Sequence, residues 1–237
     1  MSIGQANGKS EVASGIRKRM LQVVLTIVVS AAILFISSGR LDWVMAWVYI
    51  GVSLGIVTAN ALIIIPRNPE MIAERAQVKE GTKEWDRVLA SLGAGLGLLP
   101  LVVAGLDKRF GWVLGLPLAV QLLALACFVL GNGLFSWSMF SNKFFSGTVR
   151  IQKERGHTVV TTGPYRFVRH PGYLGFIIFS IATPLLLGSL WALIPAGLTA
   201  TVVIIRTALE DQTLLDELNG YKEYTSKVRY RLLPRVW

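Results

Sequence analysis

The chain alternates between long apolar blocks without charge and short segments where its charge is concentrated. A membrane-spanning helix needs about 20 consecutive apolar residues. Leu21–Ser38 supplies 18 residues without a charge, and Trp43–Ile65 supplies 23 before Pro66. Leu89–Leu106 follows the charged run ending at Arg87, and a fourth span is expected from near Trp112 to about Gly133. The last block has no Asp, Glu, Lys or Arg from His170 through Ile205, 36 residues, too long for one span of about 30 Å. Pro184 and Gly188-Ser189 lie near its middle. The pattern predicts a tight hairpin of two short helices, Gly172–Leu187 and Leu190–Ile205, or else a hairpin buried in protein that does not cross fully. The first span reads as retained and not as a signal peptide, because the apolar run is long and no small-residue cleavage site follows it.

The polar segments assign the two ends of these spans. Basic residues number 21 on the N-terminal tail, segments 66–88 and 141–169 and the tail from Arg206, against 3 on the opposite connections (Arg40, Lys108, Arg109). That asymmetry predicts six spans with both termini cytoplasmic. The fold class expected is therefore all-α, a polytopic membrane helix bundle of about six spans with a C-terminal helical hairpin and a cytoplasmic cofactor pocket. The expected divisions are a tail over 1–20, a four-span region over 21–140 and a catalytic region over 141–237.

Composition agrees: 53% of residues are hydrophobic and 16% charged, where soluble domains carry about 25% charged. This excludes an extended disordered chain. The single cysteine, Cys127, excludes an internal disulfide framework. Two histidines and one cysteine make a metal site a poor expectation, and none is assigned. The net charge of +10 is nearly all on the segments assigned to the cytoplasm, so it reads as topology; no nucleic acid partner is expected.

Gly93, Gly95 and Gly97 lie inside an apolar helix and not after a strand, which removes a dinucleotide loop. Together with Gly51/Gly55 and Gly111/Gly115 they are expected to pack helices together. No charged residue lies near the middle of a span and no internal repeat is visible, which disfavours a transporter.

Polar chemistry concentrates in residues 161–173, which hold Gly163, Pro164, Tyr165, Arg166, Arg169, His170, Pro171, Gly172 and Tyr173. Gly163-Pro164 marks a turn. Pro171 suits the first position of a helix whose N-terminus then attracts an anion. Tyr165 and Tyr173 offer ring faces to a cation. Arg206 and Glu210, four apart on one helix face, would return beside this turn through the hairpin, and Asp211 follows. As a bland alternative, the tyrosines form an interfacial belt and Arg206–Glu210 an ordinary helix ion pair. His157 reads as an interface residue. Leu214, Leu215, Leu218, Tyr221 and Tyr224 form an amphipathic tail expected to lie along the membrane and cover the site.

The order Gly163-Pro164-Tyr165, Arg169-His170-Pro171, Tyr173, then Arg206, Glu210-Asp211, Tyr221, Tyr224 and Pro234 resembles the isoprenylcysteine carboxyl methyltransferase family, a group related to membrane phospholipid methyltransferases. The resemblance covers about Asn132 to Pro234. It implies methyl transfer from S-adenosylmethionine. By that analogy Gly163, Pro164, Tyr165, Arg169, His170, Tyr173 and Glu210 bind the cofactor, while Arg206 and Glu210 are catalytic and Arg206 orients an anionic acceptor. The family usually shows Glu-Glu where this chain has Glu210-Asp211. The implied partners are a lipid or small-molecule methyl acceptor, membrane lipids and a prenylated peptide or protein. The runners-up are an NADPH-dependent membrane sterol or steroid reductase, from the Tyr221–Tyr224 and Pro234 tail, and a non-enzymatic membrane binding protein.

Overall fold

A computed structural model describes residues 3–112 and 115–237. The described residues form eight α-helices and no strand: α1 (Ile3–Ser38), α2 (Val44–Arg67), α3 (Pro69–Glu74), α4 (Glu84–Phe110), α5 (Leu118–Ser141), α6 (Pro171–Leu186), α7 (Leu193–Glu217) and α8 (Tyr221–Lys227). Five of them, α1, α2, α4, α5 and α7, are long and apolar enough to cross a membrane. The sixth expected span, α6, has 16 residues and is about 24 Å long. The chain is an all-helical integral membrane bundle.

Several boundaries differ from the pattern reading, each for a local reason. Helix α1 begins at Ile3 and not Leu21, and before the apolar run it lies against α3, with Gly15 on Ala73. Helix α2 runs through Pro66 to Arg67, since a proline in the last turn forfeits one hydrogen bond. Asn68 then caps α3, its side chain accepting from Met71 N at 3.3 Å. Helix α5 starts after Pro117; the earlier start expected near Trp112 runs into residues 113 and 114, which lie outside the described residues. Pro184 does not break the last block. Helix α6 passes through it, and the turn falls at Gly188, whose φ of +80° suits glycine. Ser189 pins the turn by donating to Asp107 at 2.5 Å and accepting from Ala192 N. Helix α7 runs on to Glu217, past the expected end at Ile205, so Arg206, Glu210 and Asp211 lie on the same helix as the last span.

The expected glycine packing is also displaced. An added Cβ at Gly51, Gly55, Gly95, Gly97, Gly111 or Gly115 would meet nothing within 4 Å, and at Gly93 only Val202 at 3.8 Å. The crossing with two facing glycines is between α5 and α6. A Cβ on Gly131 would stand 2.8 Å from Phe179 N and 2.9 Å from Gly175 O; one on Gly175 would stand 2.6 Å from Gly131 O. Two glycines facing each other let backbones approach where no side chain fits. This contact seats the start of α6 beside the end of α5.

The segments joining the helices at one end of the bundle fold onto each other. Arg150, in the connection between α5 and α6, bonds Glu74 at 2.6 Å, and Lys83 N donates to Val149 O at 3.1 Å. The chain after α8 returns to the same place, where Tyr230 O and Arg231 O accept from Arg169 N and His170 N, each at 2.9 Å.

Candidate functional site

This polar end contains a cleft with about 860 Å³ of empty space including its open mouth. Tyr165, Arg169, His170, Gly172, Tyr173, Arg206 and Glu210 line it, with Asn142, Phe144, Phe145, His157, Tyr221 and Tyr224. Three parts of the chain thus meet: the connection before α6 together with the first turn of α6, the third quarter of α7, and α8. Gly163 and Pro164 do not line the cleft. Gly163, at φ +59°, turns the chain against Ser141 and Trp137, and Pro164 is buried. Their place is under Tyr165, whose backbone carbonyl accepts from the Tyr224 hydroxyl at 2.6 Å.

Glu210 accepts from the Tyr173 hydroxyl at 2.5 Å. Among the described residues no cation lies within ion-pair distance of it. It is therefore a carboxylate aimed into the cleft, oriented by one phenol and otherwise uncommitted. The helical Arg206–Glu210 ion pair does not form. Arg206 reaches the other way, to Asp86 at the start of α4, with Nε to Oδ1 at 2.6 Å, and donates to Gly147 O at 2.8 Å. Its Cζ lies 5.5 Å from the Tyr173 ring centroid. Asp86 is fully buried and also accepts from Val149 N at 2.8 Å.

Asp211 has a clear structural place. It is fully buried, and its two oxygens accept from Arg169 Nε and Nη2 at 2.8 Å each, Arg231 Nε at 2.7 Å and the Tyr221 hydroxyl at 2.8 Å. His170 Nε2 lies 3.1 Å from Oδ1. One carboxylate thus ties α7 to the start of α6, to α8 and to the final segment. Burial disfavours the Arg169 cation, but its bonds to Asp211 outweigh this and hold the guanidinium above its ordinary value. Burial, then the charge of Asp211, pushes the Tyr221 phenol up, so it stays a donor.

His157 is a cleft residue and not a surface one. Its ring packs on Phe144 with centroids 4.5 Å apart and Nδ1 accepts from Gln152 N at 3.3 Å. Burial and the charges of Arg150 and Arg155 lower it to about 4, so it is neutral at pH 7. The tail's apolar face is covered by protein: Leu218, Tyr221 and Tyr224 pack with Ile151 and Val159. Sequence reasoning missed Asp86 and Glu74, each an acid in a charged segment with nothing in its spacing to indicate the partner across the bundle.

Comparison with known proteins gives a consistent picture. Residues 123–216 match the isoprenylcysteine carboxyl methyltransferase (ICMT) family. The chain is similar to the protein-S-isoprenylcysteine O-methyltransferase of Schizosaccharomyces pombe, 32% identical over 46% of this chain and 47% of that one. The Saccharomyces cerevisiae protein of the same name is 36% identical over 35% of this chain and 36% of its own length. The chain thus spans less than half the length of these relatives. A solved structure of a eukaryotic intramembrane Ras methyltransferase, ICMT, is similar in fold, with TM-score 0.53 at 19% identity over 92% of this chain and 75% of that one.

Proposed function

We propose that this chain, whose residues 123–216 carry the isoprenylcysteine carboxyl methyltransferase family match, is an integral membrane methyltransferase that uses S-adenosylmethionine to esterify the carboxylate of a prenylated cysteine. The observation that carries this is the Glu210–Tyr173 pair: a carboxylate with no cationic partner among the described residues, facing a cleft walled by tyrosines. That donor set fits a cationic, zwitterionic cofactor. Glu210 can hold an ammonium, the Tyr165 and Tyr173 rings can face a positive sulfur, and the Phe144 and Val159 surfaces can cover a nucleoside. Bound there, S-adenosylmethionine would supply a methyl group activated by sulfonium charge.

An acceptor carboxylate is already ionised and needs no general base, so the protein's task is alignment and exclusion of water. Tyr173 orients Glu210. Arg206, tied to Asp86, adds positive potential over the Tyr173 ring. Arg169 and His170 line the cleft and, through Asp211, fix the segment that closes it. Tyr165 is fixed by Tyr224 and, through its hydroxyl, by Asn142 at 3.2 Å. Gly163 and Pro164 act on the cofactor only by setting the place of Tyr165. We further propose that this end of the bundle, with its excess of basic residues, is cytoplasmic, as are both termini.

The test is methyl transfer by the purified protein in lipid nanodiscs with labelled S-adenosylmethionine. An S-prenylated N-acylcysteine, phosphatidylethanolamine and a small alkanethiol are offered in parallel. The expected result is base-labile label on the prenylcysteine alone. Label only on the amine or the thiol refutes the acceptor. Calorimetric binding of NADPH without binding of S-adenosylmethionine refutes the reaction class and restores the reductase reading.

A further inference from the structure

Arg75 carries a positive charge that no carboxylate among the described residues neutralises. It follows the last residue of α3 and points between α5 and the connection before α6. Its Cζ lies 5.0 Å from the Phe145 ring centroid and 5.8 Å from that of Phe135, and Nη1 donates to Ser146 O at 3.4 Å. Among the described residues no carboxylate is paired with it. Its neighbour Glu74 is taken by Arg150 at 2.6 Å and Lys79 at 2.8 Å. The other ionic charges that act on it, Arg19 and Arg206, are positive. Burial and these two cations lower Arg75 to about 9, which leaves it protonated at neutral pH.

A desolvated cation without a counter-charge is costly, and an anion that enters beside it recovers that cost. The surroundings narrow the kind of anion. Phe145 and Ser146 also line the methyl-transfer cleft. On the other side Phe135 and Phe145 join Ile16 and Met20 against the buried cluster of Ile64, Met71, Ile72 and Met139. An unpaired guanidinium between a reaction cleft and an apolar cluster suits an anion carried on an apolar chain. Arg206 is less suited, because Asp86 already pairs with its charge and, with Gly147 O, takes Nε and Nη2.

We infer that Arg75 is the acceptor-binding, specificity-determining residue, receiving the carboxylate of the prenylated cysteine while Phe135 and Phe145 hold its guanidinium plane. This rests on the reaction proposed above. In that reaction a carboxylate oxygen forms the new bond to the methyl carbon as the sulfur–carbon bond breaks. The electron pair stays on sulfur, the sulfonium becomes a thioether and no proton moves. The ester product is neutral, so it loses its ion pair with Arg75, which favours release.

The test compares wild type, Arg75→Met and Arg75→Lys in nanodiscs. It measures KM for an S-prenylated N-acylcysteine, inhibition by its carboxamide, which lacks the charge, and calorimetric affinity for S-adenosylmethionine. Loss of a charge-assisted hydrogen bond predicts a KM about tenfold or more higher in Arg75→Met. Carboxamide inhibition and cofactor affinity should stay unchanged, with part of the KM recovered by Arg75→Lys. Equal weakening of carboxylate and carboxamide, or an unchanged KM, overturns the inference. So does an Arg75→Met effect that appears only in nanodiscs with anionic lipid, which would assign the guanidinium to a headgroup phosphate. If Arg75→Met does not fold, the carboxylate-to-carboxamide ratio of Arg75→Lys decides alone. A wild type that methylates no carboxylate refutes the proposed reaction instead.

Discussion

Replacing Asp211 by Asn keeps the shape of the most connected side chain at the site and removes its charge. Five donor groups surround the two carboxylate oxygens, three of them from arginines: Arg169 Nε and Nη2, and Arg231 Nε. An amide nitrogen facing the Oδ2 partners would set a donor against Arg169 Nη2 and Arg231 Nε together. Turned toward the Oδ1 partners, it meets Arg169 Nε, while Tyr221 and His170 can reverse their roles and accept. The second orientation costs least, yet it still leaves a buried guanidinium without a counter-ion. Breaking a buried pair by removing one charge costs about 3–5 kcal/mol. For a chain of this size, about 3 kcal/mol corresponds to a midpoint lower by roughly 6–12 °C. The loss should be localised. The Asp211 bonds hold α8 and the final strand of chain, so cleavage after Lys222, Lys227 and Arg229 by trypsin should accelerate before the helix bundle unfolds. Thermal unfolding in detergent with timed proteolysis checks both. A wild-type midpoint with undiminished protection of the tail would refute the reasoning and make Asp211 a surface-type ion pair.

Three further outcomes are expected. Gly131→Ala or Gly175→Ala should destabilise the bundle by more than about 2 kcal/mol, because the new Cβ meets backbone that cannot move, whereas Gly95→Ala should be neutral or raise the thermal midpoint slightly. Arg206→Ala should be less stable than the Arg206→Ala/Asp86→Ala double variant, since the single change strands a fully buried carboxylate; a double-mutant cycle in thermal unfolding reads the coupling. His157 is lowered in the folded chain, so below its unfolded value of about 6.5 the unfolded state binds more protons. Stability should therefore fall as pH drops from about 6.5 toward 4, and His157→Asn should flatten that part of the midpoint-versus-pH curve.

What the residues could say in isolation was large and specific in kind. Charge-free blocks above span length have few solutions in a bilayer, so the helices near Leu21, Trp43, Leu89 and the end of the chain follow from hydropathy alone. The turn chemistry of Gly163-Pro164 and His170-Pro171 placed a helix start at Pro171, where α6 begins. Gathering Tyr165, Tyr173, Arg206 and Glu210 into one neighbourhood followed from the hairpin.

Tertiary structure decided how those groups are used. Spacing of four made Arg206 and Glu210 look like partners, but a long side chain on a helix chooses among all acids within reach. Asp86, fully buried at the start of α4, offers a desolvated charge that outcompetes a half-exposed neighbour on the same helix. Small-residue spacing marked Gly51, Gly55, Gly95 and Gly97 for packing, while the tight crossing fell on Gly131 and Gly175. Spacing along one helix says nothing about which face meets another helix. Arg75 looked like one more cation of a basic loop, and only its half-buried place against Phe135 and Phe145, with no carboxylate of the described residues paired to it, separates it from the rest. Local pattern determined the helices, the ends of the bundle and the chemical inventory. Partnership between charges is a property of position in space, and folding alone decided it.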